Sequence, residues 1–231
     1  VKFHVKATNK EWANTAILSW TTTPWTLPGN VALAVNPREN YVRVPDPGRA
    51  GHWVVLGQVP FEKLVAGKFF PPEYRTLSAS PVDVFKGEEI LGIEYEPLFS
   101  VPELHSPKSH RVYAADFVTM EEGTGVVHTA VMYGEDDYQL GKQVGLPTFH
   151  TVDETGRFIR TVASGLAGRF VKDPETEERI TATLRERGLL FQEERYEHDY
   201  PFCWRCSTPV LYYARNAWWV GVSSVRTQLI A

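Results

Sequence analysis

The chain has 231 residues, 43% of them hydrophobic and 13% aromatic, with a formal net charge of −4. That length and apolar share suit one large or two small packed domains and exclude a disordered chain. Two cysteines, Cys203 and Cys206, are too few for a secreted disulfide framework, and no apolar run approaches the ~20 residues needed to span a bilayer.

A cytoplasmic protein without a membrane partner is therefore expected. Slight acidity does not advertise a nucleic-acid binder, although a local basic face can sit on an acidic domain. The chain begins with valine and holds only two methionines, which points to an excised part of something larger, most simply a monomer.

Val1 to Thr8 alternates apolar and polar residues, the period of a half-buried strand. After a turn at Asn9-Lys10-Glu11, the apolar run Ala16-Ile17-Leu18 enters Trp20-Thr21-Thr22-Thr23-Pro24-Trp25-Thr26-Leu27-Pro28-Gly29-Asn30, and Val31 to Val35 leaves it. Pro24 and Pro28 cannot donate to a ladder and favour extended neighbours, so a rigid loop rather than a helix is expected between two buried strands. A turn at Asn36 to Asn40 precedes strands at Tyr41 to Val44 and His52 to Leu56, then a short helix, Phe61 to Ala66, closed by Gly67.

From Pro71 to Pro107, prolines and short apolar segments such as Ile90-Leu91-Gly92-Ile93 read as small strands joined by turns. Arg111 to Met120 is a further strand, Glu121 to Gly125 a turn and Val126 to Ala130 a buried strand end. Glu135 to Val144 has helical spacing with Gly145 as its stop. Phe149 to Ile159 reads as a barrel-edge segment. Asp173 to Arg187 is the clearest helix: Asp173 as N-cap, Pro174 at the first position, acids in the first turn, arginines in the last and Gly188 beyond.

The fold class expected is therefore mainly β with peripheral helices, α+β, with the short strands closing into a barrel-like sheet. Composition shifts near 193–196, where Tyr, Trp, Pro and the cysteine pair begin to crowd. This divides the chain into residues 1–195 and a C-terminal segment, 196–231.

Two stretches carry chemistry. In the first, four threonines beside two indoles and ahead of Asn30 offer short donors and acceptors on an otherwise apolar wall, as a small pocket requires. A threonine-rich strand on a solvated sheet face explains the same composition. The second is Gly123-Thr124-Gly125-Val126-Val127-His128-Thr129-Ala130, followed by Gly134-Glu135-Asp136-Asp137. Its glycines let backbone approach a ligand, and a histidine and a carboxylate near one turn suit acid–base work or a ligand clamp. Equally, Asp136 or Asp137 opens a helix where caps are common, and a lone histidine is often structural.

Together, in this order, the two stretches resemble the hallmarks of the editing domain inserted in isoleucyl-tRNA synthetases. Valyl and leucyl enzymes typically have Arg-Pro-acidic where this chain has Thr23-Pro24-Trp25. The chain departs from many members after His128-Thr129, having Ala130-Val131-Met132-Tyr133 in place of Ala-Pro. The resemblance runs from about Thr15 to Trp219.

It implies hydrolysis of the ester between a wrong amino acid, chiefly valine, and the 3′-terminal adenosine of isoleucine tRNA. Asp137 would pair with the substrate's α-ammonium group, and His128 would limit the side-chain pocket. Thr22, Thr23 and Asn30 would position the attacking water and ester oxygens. Trp20, Thr21, Trp25, Thr124 and Gly125 would shape the wall. No hydroxyl has an obvious adjacent base, which favours direct attack by water over an acyl-enzyme.

The partners implied are the valine moiety, the tRNA 3′ end and the rest of a synthetase. The ATP-binding signatures of such enzymes do not occur in these residues, so the chain is expected to hydrolyse but not aminoacylate. No cofactor is implied for editing. Cys203-Trp204-Arg205-Cys206 is half of a tetrahedral thiolate site, with His198 as the nearest third group and no fourth, so zinc would need ligands from sequence outside this chain. Two rival readings need neither threonine loop nor acid: an RNA-binding barrel with a metal-knuckle tail, and a thiol hydrolase using Cys203 or Cys206 with His198.

Overall fold

Among the described residues, short runs of β-branched and aromatic residues build eight strands: β1 (Lys2–His4), β2 (Thr15–Leu18), β3 (Ala32–Val35), β4 (Asn40–Pro45), β5 (Trp53–Gly57), β6 (Asp83–Lys86), β7 (Arg111–Ala114) and β8 (Val126–Thr129). Four helices accompany them: α1 (Gln58–Ala66), α2 (Glu135–Val144), α3 (Pro174–Glu186) and α4 (Val222–Ile230). The structure is a computed structural model that describes residues 1–67, 69–70, 74, 83–162, 165–197 and 199–230.

The strands form two sheets, one in the order β1-β2-β5-β4-β6 and one in the order β7-β3-β8. Each sheet is mixed: β2 runs parallel to β5 and β3 parallel to β7, with the remaining neighbours antiparallel. Side chains alternate as the pleat demands. Ile17, Tyr41 and Val55 from the first sheet meet Leu33, Val35 and Val112 from the second in one core. On the other face of the first sheet, Leu18, Val42, Val54 and Leu56 pack under Phe61 and Val65 of α1. Ala34 of β3 points away from the main core to meet Leu140 of α2.

The α+β class is as expected, but the sheet does not close into a barrel. Parallel pairs need long crossovers rather than hairpins, and strands of these lengths offer little edge along which two sheets could join. Contact between sheet ends is made instead by the Gly57 amide, which donates to the Thr124 carbonyl at 2.8 Å. There the backbones come very close: a Cβ on Gly57 would lie 2.4 Å from Met120 Sδ, and one on Gly125 would lie 2.6 Å from the same sulfur.

Several elements differ from expectation for local reasons. The threonine segment is not loop throughout, because Pro24–Gly29 winds into a 3-10 helix with Pro24 at its start. Proline fits the first turn, and Pro28 costs little where few internal bonds exist to lose. The strand at Arg111 ends at Ala114, after which Val118 turns back to donate to the Ala115 carbonyl. Ile90 closes a 3-10 turn, Gly87–Ile90, rather than opening a strand. Phe149 to Ile159 contributes only the isolated bridges Val152↔Phe158 and Arg157↔Phe170, because the Asp153 carboxylate gathers the amides of Thr155 and Arg157 into a tight turn. The small strands expected after Pro71 fall partly on residues 71–73 and 75–82, outside the described residues. Among the described residues, no helix is long and apolar enough to cross a membrane.

Candidate functional site

The threonine segment is held at both ends. Thr21 and Thr23 join their hydroxyls at 3.2 Å, and the Thr23 amide donates to Thr21 Oγ1 at 3.0 Å. The Thr26 hydroxyl and amide both donate to the Thr23 carbonyl, at 2.9 and 3.0 Å. Thr22 makes no side-chain hydrogen bond to the described residues, so its hydroxyl is the one left to meet a ligand. α3 packs behind the 3-10 helix and fixes its depth.

β8 carries the second stretch alongside. The Gly-Thr-Gly turn before it is tied to the end of β2: Thr124 Oγ1 donates to the Leu18 carbonyl at 2.8 Å, and Ser19 Oγ to the Val126 carbonyl at 2.8 Å. The two glycines make room chiefly for protein. A Cβ on Gly123 would sit 3.1 Å from the Trp20 ring, and Gly125, at φ +71°, faces Met120 and Gly57. β8 pairs with β3, Leu33 opposite His128. This pairing brings His128 Nε2 within 2.9 Å of Thr26 Oγ1.

Asp137, in the first turn of α2, does not cap its own helix. Its Oδ2 reaches back to accept the Ala130 amide at 3.0 Å, just beyond β8, while Oδ1 takes no hydrogen bond from the described residues.

These elements enclose a cavity of about 370 Å³. Trp20, Thr21, Thr22, Thr23, Thr124, Gly125, His128 and Asp137 all line it. Asn30 and Trp25 do not. Asn30 is 4% exposed and fully engaged, accepting from the Tyr95 hydroxyl at 2.7 Å and donating to the Ala32 carbonyl at 2.9 Å. Trp25 is buried edge-on against Tyr133.

Thr26, Phe117, Thr119, Glu122 and Tyr133 also line the cavity and were not singled out from the sequence. Thr26 had a signal, as the fourth threonine of its segment. Phe117 and Thr119 had none, since a turn after β7 delivers them. A second cavity, about 390 Å³, lies behind the threonine segment and shares Trp20, Thr21, Thr22 and Thr124, but it carries neither Asp137 nor His128.

Burial sets the charges. It pushes the Asp137 carboxyl up to about 6, opposed by the Ala130 hydrogen bond and reinforced by Asp136. It also pulls His128 down to about 4, so the ring is neutral at physiological pH. Tyr133, pushed up to about 12 by burial, stays protonated. Its oxygen accepts the amides of Thr151 and Val152 at 2.7 and 2.9 Å, and its hydrogen serves Thr151 Oγ1 at 3.0 Å. The cavity thus combines the carboxylates of Asp137 and Glu122, a neutral histidine, free hydroxyl capacity and apolar walls. It fits a small ammonium-bearing ligand with an apolar side chain.

The cysteines lie elsewhere. The Cys203 amide donates to the Thr208 carbonyl at 2.9 Å, the Ser207 amide to the Cys203 carbonyl at 2.8 Å, and Cys206 Sγ lies 3.2 Å from Thr208 Oγ1. The hydrogen bond with Thr208 lowers the exposed Cys206 thiol's pKa. Among the described residues no three His, Cys, Asp or Glu side chains are grouped to hold a metal. The pair supplies at most half of a zinc site, and His198 lies outside the described residues. Neither cysteine lines the cavity.

The fold is similar to that of a solved leucyl-tRNA synthetase connective-polypeptide editing domain. The solved structure of GlLeuRS-CP1, a leucyl-tRNA synthetase connective-polypeptide editing domain, superposes with a TM-score of 0.58 at 13% identity, covering 84% of this chain and 98% of that one. The Plasmodium knowlesi cytosolic leucyl-tRNA synthetase editing domain matches with a TM-score of 0.48 at 14% identity, over 80% of this chain and 81% of that one. In sequence the chain is homologous, along its whole length, to a segment of isoleucine–tRNA ligases. It is 43% identical over 230 residues to the ligase of Clostridium novyi (strain NT), covering 100% of this chain and 20% of the ligase. It is 41% identical over 226 residues to that of Bacillus thuringiensis (strain Al Hakam), covering 98% of this chain and 20% of the ligase. The chain therefore spans about a fifth of the length of these curated relatives. No family model matches it.

Proposed function

We propose that the chain hydrolyses the ester joining a wrongly attached small amino acid, chiefly valine, to the 3′-terminal adenosine of isoleucine tRNA. Valyl-adenylate is a second substrate of the same cavity. The observation that carries this reading is the meeting, in one cavity, of the Asp137 carboxylate, the buried His128 ring and the threonine wall.

A second site is needed because one methylene in a hydrophobic pocket is worth only ~1–3 kcal/mol, a magnitude established on isoleucine against valine in this very class of synthetase. Asp137 takes the α-ammonium group, a charge that is costly to bury unpaired. His128 and Thr26 close the side-chain end, so that valine enters and isoleucine clashes. Thr22, with its uncommitted hydroxyl, orients the attacking water. Thr23 holds the wall through Thr21 and Thr26, and Asn30 serves by fixing the segment's far end to Tyr95. His128 Nε2 lies 2.9 Å from the Thr26 hydroxyl, but that hydroxyl is committed to the Thr23 carbonyl, so water attacks the ester carbon directly. The ester is already labile, and orientation with a few hydrogen bonds suffices.

Residues 1–195 form the hydrolytic unit, and 196–231 lead towards the rest of a synthetase in the cytoplasm, with Cys203 and Cys206 completed as a zinc site only by ligands from there. The isolated chain is a monomer, and its macromolecular partner is the tRNA 3′ end. The test is deacylation of valyl-tRNA and isoleucyl-tRNA, both built on isoleucine tRNA, by the chain and by Thr22→Ala. Selective valine release that falls in the variant is expected. Equal release of both amino acids, or none from either, would refute the reading.

A further inference from the structure

Thr26 sits at a junction whose hydrogen count can be worked out. Its Oγ1 lies 2.9 Å from the Thr23 carbonyl oxygen and 2.9 Å from His128 Nε2. A threonine hydroxyl has one hydrogen to give, and a carbonyl can only accept. If the hydroxyl gave its hydrogen to Nε2, two oxygens 2.9 Å apart would face each other with no hydrogen between them. The hydroxyl hydrogen therefore goes to Thr23, and Thr26 Oγ1 accepts from Nε2, which must carry the ring hydrogen.

The other ring nitrogen agrees with this assignment. His128 is 8% exposed, and its Nδ1 is buried with no hydrogen-bond partner among the described residues. A hydrogen placed on Nδ1 would have no acceptor to meet, and a second proton there would leave a buried charge unpaired.

We propose that Thr26 is a positioning residue: it fixes His128 as the neutral Nε2–H tautomer and ties the ring to the main chain of Thr23. The chain of bonds, Nε2–H to Thr26 Oγ1–H to the Thr23 carbonyl, makes the side-chain gate and the hydroxyl wall one rigid piece. The tautomer rests on geometry alone, whereas its consequence for selectivity rests on the editing reading. A neutral ring also leaves Asp137 unopposed as partner for an ammonium group, where an imidazolium in the same cavity would repel it.

The experiment is nitrogen-15 NMR of the histidine rings in the 231-residue chain, with His128 assigned by the signal lost in His128→Gln. It is paired with the ratio of valyl to isoleucyl ester cleavage. Wild type should show a protonated Nε2 and a bare Nδ1. Thr26→Ser, which keeps the hydroxyl, should keep the tautomer. Thr26→Val, of nearly the same shape, should lose that tautomer, and its ratio should fall on the order of tenfold or more. An Nδ1–H ring in wild type, an unchanged ring in Thr26→Val, or a lost tautomer with an unchanged ratio would each overturn the proposal. If wild type cleaves neither ester yet shows the stated ring, the editing reading fails and the Thr26 assignment stands. Should Thr26→Val not fold, the tautomers of wild type and Thr26→Ser decide, and an Nδ1–H ring in either overturns the proposal.

Discussion

Asp137 Oδ2 accepts the Ala130 amide at 3.0 Å, which anchors a helix-borne carboxylate to the end of the strand that carries His128. The carboxylate and the strand bearing His128 are thus positioned against each other through one side-chain-to-backbone hydrogen bond. Asp137→Asn preserves an oxygen for Ala130 and removes only the charge. Losing one partner of a buried, hydrogen-bonded charge pair costs about 2–5 kcal/mol, so valyl-tRNA deacylation should fall by roughly thirtyfold or more. Steady-state deacylation with wild-type melting checked in parallel measures it.

The same carboxyl should set the pH profile. Its pKa, about 6, lies above its ordinary value of 3.8, so below 6 it is neutral and above 6 it can pair with an ammonium group. Deacylation should rise with pH through about 6. For stability the sign is opposite. The folded state holds this proton more tightly than the unfolded state, so the group's contribution is most favourable at low pH and declines as pH rises from about 4 through 6. Asp137→Asn should accordingly melt higher than wild type at pH 7, with the gap closing towards pH 4. A gap that widened on acidification would reverse the assignment.

His128→Ala should open the side-chain end of the cavity. Isoleucyl-tRNA should then be cleaved, erasing discrimination of about 10–200-fold, which one methylene supports in an apolar pocket. The ratio of the two initial rates reports it. Continued sparing of isoleucine would place the gate elsewhere.

Asn30 offers a separable test, because its amide is engaged with Tyr95 and Ala32 and lines no part of the cavity. Asn30→Ala leaves the buried Tyr95 hydroxyl without its acceptor, a loss of about 1–3 kcal/mol in denaturant unfolding. Tyr95→Phe should restore much of that loss in the double variant. If Asn30→Ala instead kept full stability and lost deacylation, Asn30 would act on substrate.

What was legible in the sequence was local. α2 stops at Val144 because Gly145 adopts φ +74°, and α3 begins at Pro174 behind Asp173; both signals lie within one turn of the element they bound. The threonine segment and the Gly-Thr-Gly turn were recognisable for the same reason. Tertiary pairings were not. Nothing near Thr26 announces a histidine at 128, because their contact depends on β3 pairing with β8. The sequence left Asp137 open between a helix cap and a ligand's partner, and could not show that its carboxylate accepts the Ala130 amide. The barrel expectation failed because strand count and spacing say little about crossovers, and both sheets contain parallel pairs.

The crowding of Gly57, Gly125 and Met120 has its own implication for how the domain can be remodelled. Any side chain at either glycine meets the same sulfur, so a change there needs a smaller residue at 120 in the same step. Attempts to redirect the cavity to other amino acids therefore meet a fixed corner at Gly125, whose backbone leaves no room for a side chain beside Met120 and Gly57.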